Sequence, residues 1–385
     1  MTALERAAAA VPSPCYLVDI EKLESNARVL GGVRESTGCG VLLALKGFAM
    51  HGVFPLLRDH FSGACASSVH ETRLAREEFG GEVHVHGPAF SREDIREMGP
   101  LMNHITFNSL SQWESFSPWL KERHPDVRLG LRINPEHSEV ETAIYDPCAP
   151  GSRLGVRTAD LPAAVPKGMS GLHFHTLCEK DSYALARTLE AVERRFGGWL
   201  RSEAIAWVNF GGGHHVTRPD YNAGHLCGLI GDFAGRYGVR VYLEPGEAAA
   251  LNSGYLVATV LDIAPGPDMP SAILDTSATA HMPDVLEMPY RPRIIGAGEL
   301  EEGAQAYRLG GNSCLAGDVI GVYSFADPLE VGKRVVFEDM AHYTMVKNTT
   351  FNGVRLPAIA TFDPRSGETV VLREFGYASY RDRLS

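Results

Sequence analysis

The sequence lacks several features that would place it in a specialised class of protein. It has no uninterrupted apolar stretch long enough to span a bilayer, no internal repeat and no low-complexity linker. Its seven cysteines are widely separated and never form a C-x-x-C pair, which favours reduced thiols over a disulfide framework or a thiolate zinc site. The alanine-rich start carries Glu5 and Arg6 and has no apolar core of signal length. We therefore expect a cytoplasmic protein.

Basic residues are also fewer than acidic residues. The chain has 36 Lys and Arg against 47 Asp and Glu, a net charge of −11. This balance argues against nucleic acid and membranes as partners and favours a cationic ligand. At 385 residues the chain exceeds the size at which one core stops growing, so two domains are expected.

Short apolar runs alternate with amphipathic, charged segments over most of the first two thirds of the chain. Repeated strand-helix units predict a parallel sheet, and eight of them match a (β/α)₈ TIM-like barrel of about 250 residues. The predicted barrel covers residues 16–254. Its eight predicted strands are 41–45, 63–66, 83–86, 104–107, 129–133, 171–175, 206–210 and 239–243.

The remaining sequence has a different residue pattern. β-Branched runs broken by Gly and Pro predict strands at 256–263, 271–275, 319–323, 334–337 and 370–374. Together with residues 1–15, the segment 255–385 is expected to form a mostly antiparallel β-sandwich or β-barrel domain. The predicted fold class is therefore α/β, with a barrel followed by a β domain.

Lys46 follows the apolar run 41–45 directly. Such a run before glycine is typical of a buried parallel strand, so we expect the ammonium of Lys46 to lie in a region of low dielectric. Burial would lower its pKa and make the amine a nucleophile suited to Schiff-base chemistry. The alternative is a strand-end lysine that extends to water.

Other polar residues follow predicted strands in the same way. In a parallel barrel the carboxyl ends of the strands gather on one face, where active sites form. The residues expected there are Arg132, His173, His175, Gly211, Gly212, Gly213, Glu244 and Glu247. Consecutive glycines let backbone N–H groups approach a phosphate, and a strand-end carboxylate can keep a pyridine nitrogen protonated.

The histidines also permit a metal-dependent barrel hydrolase. His173 and His175 alternate on one strand, and His214 and His215 follow the next, so imidazoles could bind zinc. An H-x-H pair on the sixth strand, with a lysine on the first, is the wrong order for barrel amidohydrolases. We therefore expect no metal.

The motifs resemble those of the alanine-racemase-like barrel decarboxylases that use pyridoxal phosphate. The pattern is an A-x-K, a later histidine, Gly-Gly-Gly, E-P-G and a cysteine followed by aspartate. Within this group the similarity is strongest to the carboxynorspermidine decarboxylase branch and covers nearly the whole chain. It is carried by stretches such as LLALKGFAM at 42–50, GLHFHTLCE at 171–179 and VNFGGGHHVTRPDY at 208–221.

The resemblance implies a role for each matching residue. Lys46 would carry pyridoxal 5'-phosphate, His175 would stack on its ring and Glu244 would pair with the ring nitrogen. Gly211, Gly212, Gly213 and Tyr343 would bind the phosphate, with Arg132 also in the cofactor site. Cys314 and Asp318 would come from the second subunit of a homodimer, where Cys314 would protonate the carbanion.

Two departures bear on the substrate. Relatives acting on ornithine or diaminopimelate have E-P-G-R, whereas this chain has Glu247 in place of the arginine. Diaminopimelate decarboxylases also have an acidic residue directly after the cysteine, where this chain has Leu315. The resemblance implies decarboxylation of carboxynorspermidine and carboxyspermidine to norspermidine and spermidine in polyamine biosynthesis. Carboxylates and a histidine would then hold the distal amines, with Glu247, Asp275, His281, Asp284 and Asp318 as candidates.

Other functions stay open at this point. The chain could decarboxylate a simpler basic amino acid such as diaminopimelate, ornithine, lysine or arginine. A racemase would want a tyrosine base where Cys314 lies. A non-catalytic decarboxylase homologue would have no need for the cofactor positions, all of which are present.

Overall fold

A computed structural model describes residues 1–300 and 305–385. The chain divides into two compact units, a sheet unit made of Met1–Glu24 with Ala250–Ser385 and a barrel unit made of Ser25–Ala249. The predicted barrel range of 16–254 differs from the barrel unit at both ends. The reason at the first boundary is that strand β1, Cys15–Asp19, pairs within the sheet unit.

The barrel unit contains eight parallel strands in a closed barrel, which confirms the predicted barrel. The strands are β2 Gly40–Ala44, β3 Gly63–Ala66, β4 Glu82–His86, β5 His104–Phe107, β6 Arg128–Arg132, β7 Met169–His173, β8 Trp207–Asn209 and β9 Arg240–Leu243. Closure occurs where β2 pairs with β9, with Gly40 opposite Tyr242 and Val41 opposite Leu243. The predicted strands coincide with these to within two residues at every end, because buried parallel strands are almost continuously apolar.

Helices connect the barrel strands and cover its outside. They are α2 Ile20–Thr37, α3 Phe54–Leu57, α4 Val69–Leu74, α5 Arg92–Met98, α6 Leu110–Arg123, α7 Ser182–Leu200, α8 Ala223–Tyr237 and α9 Glu247–Ala250. Side-chain caps begin several of them: Ser68, Ser91, Ser109, Asp181 and Asn222 each accept a backbone N–H from the first turn. In the described part of the chain, no helix is both long and apolar enough to cross a bilayer.

Aromatic rings fill the middle of the barrel. Trp207 and Tyr242 are fully buried and project inward. Glycines on neighbouring strands make room for them: a Cβ at Gly171 would lie 1.9 Å from the Trp207 ring, and one at Gly40 would lie 2.2 Å from the Tyr242 ring. The interior is therefore a packed core that separates the two ends of the barrel.

The sheet unit is built on a nine-stranded sheet. Its strands are β1, β10 Gly254–Ala264, β11 Ser271–Leu274, β12 Ala297–Gly298, β13 Gln305–Gly310, β14 Val319–Phe325, β15 Arg334–Glu338, β16 Ala358–Phe362 and β17 Thr369–Arg373. Its helices are α1 Ala3–Ala10, α10 Ala278–His281, α11 Asp284–Glu287 and α12 Tyr377–Arg381. A separate β domain is thus confirmed.

The sheet is mixed and mostly antiparallel, as predicted for this unit. Strand β1 runs parallel to β16 and β11 runs parallel to β13, whereas the other pairings among the described residues are antiparallel. The strand order β12-β14-β13-β11-β10-β1-β16-β17 is open, and β15 pairs with β10 off this path. Helix α1 packs on one face through Ala7 and Ala8, and Val11, which follows the helix, joins the same cluster.

Candidate active site

The first candidate, Lys46, lies at the carboxyl end of the barrel but is not buried. Strand β2 ends at Ala44, and Lys46 lies two residues beyond it with an exposed side chain. The expectation of a lysine in low dielectric is therefore wrong. The reason is that β2 ends inside the apolar run, so Leu45 stays in the core while Lys46 reaches the open mouth of the barrel. The amine nevertheless lies at the carboxyl end of the first barrel strand, as predicted.

Glu244 is the central acidic group of this end. It follows β9, and its Oε1 accepts the amide N–H of Asn209 at 2.7 Å while its Oε2 lies 3.2 Å from Nε2 of His173. Burial would raise the pKa of Glu244, but the attraction and hydrogen bond of His173, with His86 and His175 nearby, hold that pKa well below its usual range. Glu244 is therefore an ionised carboxylate fixed at both oxygens.

His173 is the neutral partner in this pair. Burial, partly offset by Glu244, lowers its pKa below the ordinary value. Since an ionised carboxylate only accepts hydrogen bonds, Nε2 of His173 must carry the proton. Its other nitrogen, Nδ1, is buried and makes no hydrogen bond within the described residues.

Arg132 is buried at the end of β6, with 5% of its surface exposed. Its Nη1 lies 2.9 Å from Nε2 of His86, and its Nη2 donates to the carbonyl of His175 at 3.1 Å. Burial lowers the pKa of Arg132 to about 10, which leaves it charged at neutral pH. His86 must therefore accept at Nε2 and donate from Nδ1 to the Thr106 carbonyl at 3.3 Å. Arg132 thus positions the histidines.

His175 has one ring nitrogen fixed by the glycine loop. Its Nδ1 accepts the N–H of Gly212 at 2.9 Å. Burial, followed by repulsion from Lys46 and Arg132, lowers the pKa of His175 well below its ordinary value, so the ring is neutral. The proton then resides on Nε2. A neutral, oriented imidazole is suited to packing on a flat ring.

The three glycines are required by the path of the loop after β8. Gly211 and Gly213 have φ of 70° and 84°, in the region that favours glycine. A Cβ at Gly212 would lie 2.2 Å from the Glu244 carbonyl oxygen, and one at Gly213 would lie 1.8 Å from that of Leu177.

Two of these glycines do not present their N–H groups to a ligand, contrary to the predicted phosphate cradle. The N–H of Gly211 donates to Oδ1 of Asn209 at 2.8 Å, and that of Gly212 donates to His175. Their role is to orient Asn209 and His175, because the loop folds back onto its own strand ends. Phosphate binding by Gly213 stays a prediction.

Glu247 contacts a histidine that lies two residues after the glycine triplet. Its Oε2 lies 3.2 Å from Nε2 of His215, and its side chain is 20% exposed. The carboxylate therefore pairs with an imidazole of the barrel unit. Contact of Glu247 with a cationic substrate stays a prediction.

Asp318, expected at the substrate, is buried in the sheet unit with 4% of its surface exposed. It accepts hydrogen bonds from the Ser277 and Ser313 hydroxyls and, at 2.7 Å, from the N–H of Ala278. The carboxylate is thus committed to holding the loop after β13 against helix α10. This corrects the expectation of a direct substrate contact.

His281 and Asp275 also have internal roles. His281 is fully buried, its Nδ1 lies 3.0 Å from the Thr276 hydroxyl, and burial lowers its pKa to about 4. Asp275 accepts the Thr259 N–H at 2.7 Å, next to the irregular pairing of β10 with β11. Nε2 of His281 is buried without a hydrogen-bond partner among the described residues, and contact of either residue with a distal amine stays a prediction.

Asp284 contacts a cation of its own chain. Its carboxylate and that of Glu287 both bind Nζ of Lys347. Any role in binding a substrate amine would compete with this pairing, and it stays a prediction.

Cys314 and Tyr343 are both in the sheet unit. The thiol of Cys314 is exposed, and its backbone N–H donates to Oδ1 of Asn352 at 2.8 Å. Tyr343 has a φ of 47°, uncommon for a residue with a side chain. Their predicted roles stay predictions.

Two residues of the site, His86 and Asn209, were missed in the sequence. His86 ends the third predicted strand and Asn209 precedes the glycines, so both had the strand-end position that marked the others. The contacts that reveal their roles join different strands and form only when the barrel closes.

The histidines suggested as zinc ligands do not gather around a common point. His173 binds Glu244, His214 lies 2.7 Å from the Tyr221 hydroxyl, and His215 pairs with Glu247. Within residues 1–300 and 305–385, one group has metal-ligand spacing, and it contains none of these histidines.

Similarity to known proteins defines the class. Residues 15–341 match the family model described as the pyridoxal-dependent decarboxylase, C-terminal sheet domain. The chain belongs to this family of decarboxylases, and it is a carboxy-lyase that uses pyridoxal phosphate.

Particular relatives cover almost the whole chain. The carboxyaminopropylagmatine decarboxylase of Synechocystis sp. is 49% identical, over 97% of this chain and 96% of the relative. The carboxynorspermidine/carboxyspermidine decarboxylase of Campylobacter jejuni is 42% identical, over 96% of this chain and 98% of the relative. A crystal structure of Campylobacter jejuni carboxynorspermidine decarboxylase with norspermidine has a TM-score of 0.89 and 41% identity, covering 97% of this chain and all of that one.

The residues at the carboxyl end of the barrel fit the cofactor of this family. Glu244 is an ionised, fixed carboxylate that can pair with a protonated ring nitrogen, and Nδ1 of His173 has no partner among residues 1–300 and 305–385. Neutral His175 can pack on a ring, and Lys46 supplies an accessible amine.

Proposed function

We propose that this chain removes carbon dioxide from an α-amino acid whose side chain is a polyamine. Carboxynorspermidine and carboxyspermidine are the proposed substrates, with norspermidine and spermidine as products in polyamine biosynthesis. The observation that carries the proposal is the ionised Glu244, held by His173 and Asn209 on the same barrel face as Lys46. The relatives that cover nearly the whole chain support the substrate class.

Each residue would have a defined task. Pyridoxal phosphate, when bound, supplies an electron sink for the pair of electrons that carbon dioxide leaves behind. Lys46 would hold it covalently, Glu244 would keep a proton on its ring nitrogen and His175 would orient its ring. Arg132 fixes His86 and the His175 backbone. Gly213 and Tyr343 would contact the phosphate.

The reaction consumes one proton for each carbon dioxide released, because a C–H bond replaces the broken C–C bond. We propose that Cys314 of the partner subunit delivers that proton in a homodimer with shared active sites. The exposure of the thiol in the single chain supports this assignment. We further propose that the protein acts in the cytoplasm.

A second substrate is favoured by one observation. The relative at 49% identity is named for carboxyaminopropylagmatine, which ends in a guanidinium group where carboxynorspermidine ends in an ammonium. Both molecules join an α-amino carboxylate to a long cationic chain. Carboxyaminopropylagmatine is therefore the alternative substrate.

The test is carbon dioxide release by the purified protein with added pyridoxal phosphate. The panel is carboxynorspermidine, carboxyspermidine, carboxyaminopropylagmatine, ornithine, lysine, arginine and diaminopimelate, with the Lys46→Ala protein as the blank. The proposal expects kcat/KM to favour the three polyamine acids by at least about 10²-fold. Preference for ornithine, lysine, arginine or diaminopimelate would keep the chemistry and reject the substrate class.

The shared site has its own test, which mixes two inactive variants, Lys46→Ala and Cys314→Ala. If each site combines both chains, mixed dimers contain one intact site and restore about a quarter of the wild-type activity. Sites made within one chain would give no recovery, and remixing each variant with itself is the matched control.

A further inference from the structure

Arg132 is a buried cation whose hydrogen bonds go to neutral groups. Its side chain lies at the carboxyl end of the barrel, and its pKa of about 10 leaves it charged at neutral pH. Its Nη1 meets Nε2 of His86 at 2.9 Å, and its Nη2 donates to the carbonyl of His175 at 3.1 Å. Buried charges are normally paired with an opposite charge. An arginine that binds an imidazole instead points to a function in what that imidazole contacts.

The contacts continue from His86 across the barrel to Glu244. The rings of His86 and His173 pack with centroids 4.6 Å apart and planes 31° from parallel. Nε2 of His173 then lies 3.2 Å from Oε2 of Glu244. The four side chains come from the ends of strands β4, β6, β7 and β9. Two imidazoles thus connect the buried cation to the buried carboxylate.

Arg132 fixes the proton of His86. A guanidinium only donates hydrogen bonds, so Nε2 of His86 accepts, and the ring proton lies on Nδ1, 3.3 Å from the Thr106 carbonyl. His86 has no place for a second proton while Arg132 donates to it. Burial, followed by repulsion from His173 and Arg132, lowers the pKa of His86 well below its ordinary value. His86 therefore presents a neutral ring to His173.

His173 experiences opposing influences on its charge. Burial lowers its pKa, the attraction and hydrogen bond of Glu244 raise it, and repulsion from Arg132 and Lys46 lowers it again. The other titratable groups that face it are the neutral imidazoles of His86 and His175. Arg132 is therefore the buried charge that opposes protonation of His173 by Glu244.

The charge state of His173 decides how much charge Glu244 can direct at a ligand. A protonated His173 would form an ion pair with the carboxylate and cancel much of its field. A neutral His173 only donates a hydrogen bond, as does the amide of Asn209 to the other oxygen at 2.7 Å. With both partners neutral, the negative charge of Glu244 stays uncompensated by them.

The amino end of the barrel contains the same kinds of groups in a different order. There Oε2 of Glu82 lies 3.1 Å from Nε2 of His84, and Arg240 binds Oε1 of the same carboxylate directly at 3.1 Å. That arginine compensates the charge of Glu82. At the carboxyl end two imidazoles stand in the chain of contacts between Arg132 and Glu244, which prevents such compensation.

We propose that Arg132 is a positioning residue that acts through His86 to keep His173 neutral, so that Glu244 directs an uncompensated charge at the ring nitrogen of pyridoxal phosphate. This inference rests on the proposed pairing of Glu244 with that nitrogen. Arg132 influences the cofactor through the intervening side chains and needs no contact with it.

The experiment is a pH titration of the visible cofactor absorbance of the holoenzyme without substrate. Arg132→Gln keeps a hydrogen-bond donor for His86 and removes the charge, so His173 should titrate at least about 1 pH unit higher than in wild type and change the absorbance. Arg132→Lys keeps the charge and should restore the wild-type curve. Adding His173→Gln to Arg132→Gln should abolish the new transition, because no imidazole is left to titrate.

Arg128→Gln, which removes an arginine from the other end of strand β6, is the matched control and should titrate as wild type. A wild-type curve for Arg132→Gln, or a new transition that persists without His173, would overturn the proposal. So would an Arg132→Lys protein that behaves like Arg132→Gln. Glu244→Gln separates the two levels: an unchanged absorbance there would reject the pairing of Glu244 with the cofactor itself.

A measurement on the wild-type holoenzyme avoids any failure of the variants to fold. Nitrogen-15 NMR of histidine-labelled protein distinguishes protonated from bare ring nitrogens, and the signals lost in His173→Gln identify His173. At about pH 6.5, where an ordinary histidine is half protonated, we expect a proton on Nε2 of His173 and a bare Nδ1. Protons on both nitrogens at this pH would reject the proposal.

Discussion

The two ends of the barrel bury similar groups and differ in what lies beside them. At the carboxyl end, Glu244 is held by His173 and Asn209, and at the amino end Glu82 is held by His84, Tyr242 and Arg240. Both carboxylates are ionised although burial opposes it. The carboxyl end adds long loops with an exposed lysine and a glycine turn, whereas the amino end adjoins a cavity that opens to solvent. The comparison shows that the same buried pair becomes a reaction centre only where loops bring a nucleophile to it.

The strongest test of this comparison removes the nucleophile. Lys46→Ala should abolish cofactor absorbance in the visible and lower turnover by more than about 10³-fold, because no other amine replaces it. The measurement is absorbance after gel filtration together with carbon dioxide release. Lys167→Ala, which removes another exposed lysine in a loop, should change neither. Full activity in Lys46→Ala would reject the assigned mechanism.

The next test exchanges the two carboxylates for amides. Glu244→Gln should lower kcat by about 10²–10³-fold because the charge opposite the ring nitrogen is lost. Glu82→Gln should leave kcat close to wild type and lower the free energy of unfolding by about 1–3 kcal/mol through its lost hydrogen bonds. Steady-state kinetics and urea unfolding of both variants give the answer. Equal losses of kcat would show that the two ends do not act separately.

A smaller effect is expected at the proposed proton donor. Cys314→Ser should slow turnover by about 10²-fold and leave the cofactor bound, since a hydroxyl is a poorer acid than a thiol. Cys227→Ser, on the outer helix α8, is the control and should behave as wild type. Loss of cofactor from the Cys314 variant would assign that residue to cofactor binding instead.

The smallest effect concerns acid stability at the carboxyl end. Burial, followed by repulsion from His215, lowers the pKa of His214 to about 4. Between this value and an unfolded pKa of about 6.5, unfolding takes up a proton, so stability is greatest above pH 6.5 and falls as the pH decreases. Replacing His214 by Asn should reduce this loss by up to about 1.4 kcal/mol per pH unit.

Urea unfolding of both proteins at pH 7.5 and pH 5 measures this difference, and His225→Asn on helix α8 is the matched control. An unchanged pH dependence in the His214 variant would show that its imidazole does not stay neutral in the folded chain.

Much of the barrel could be predicted from the sequence because local apolar runs determine parallel strands. Strands β1, β12, β13 and β16 were missed, since their positions depend on partners that are distant in the chain, such as β16 for β1 and β11 for β13. Periodicity also could not show that β2 ends at Ala44, and this one position decided the exposure of Lys46.

For the site, residues that carry chemistry by type, such as Glu244 and His175, could be recognised from strand-end positions. Residues that act by holding others could not. Asn209 and His86 matter through contacts that cross the barrel, and Asp318 was assigned to substrate although its partners Ser277 and Ser313 make it structural. Such roles are decided by tertiary hydrogen bonds rather than by residue type.

The central claim is that the carboxyl end of this barrel holds pyridoxal phosphate on Lys46. The most direct measurement is borohydride reduction of the holoenzyme followed by digestion and mass spectrometry. We expect one cofactor-derived mass addition per chain on the peptide that contains Lys46, and none in Lys46→Ala. Stoichiometric addition on another lysine, or none in protein that releases carbon dioxide, would contradict it.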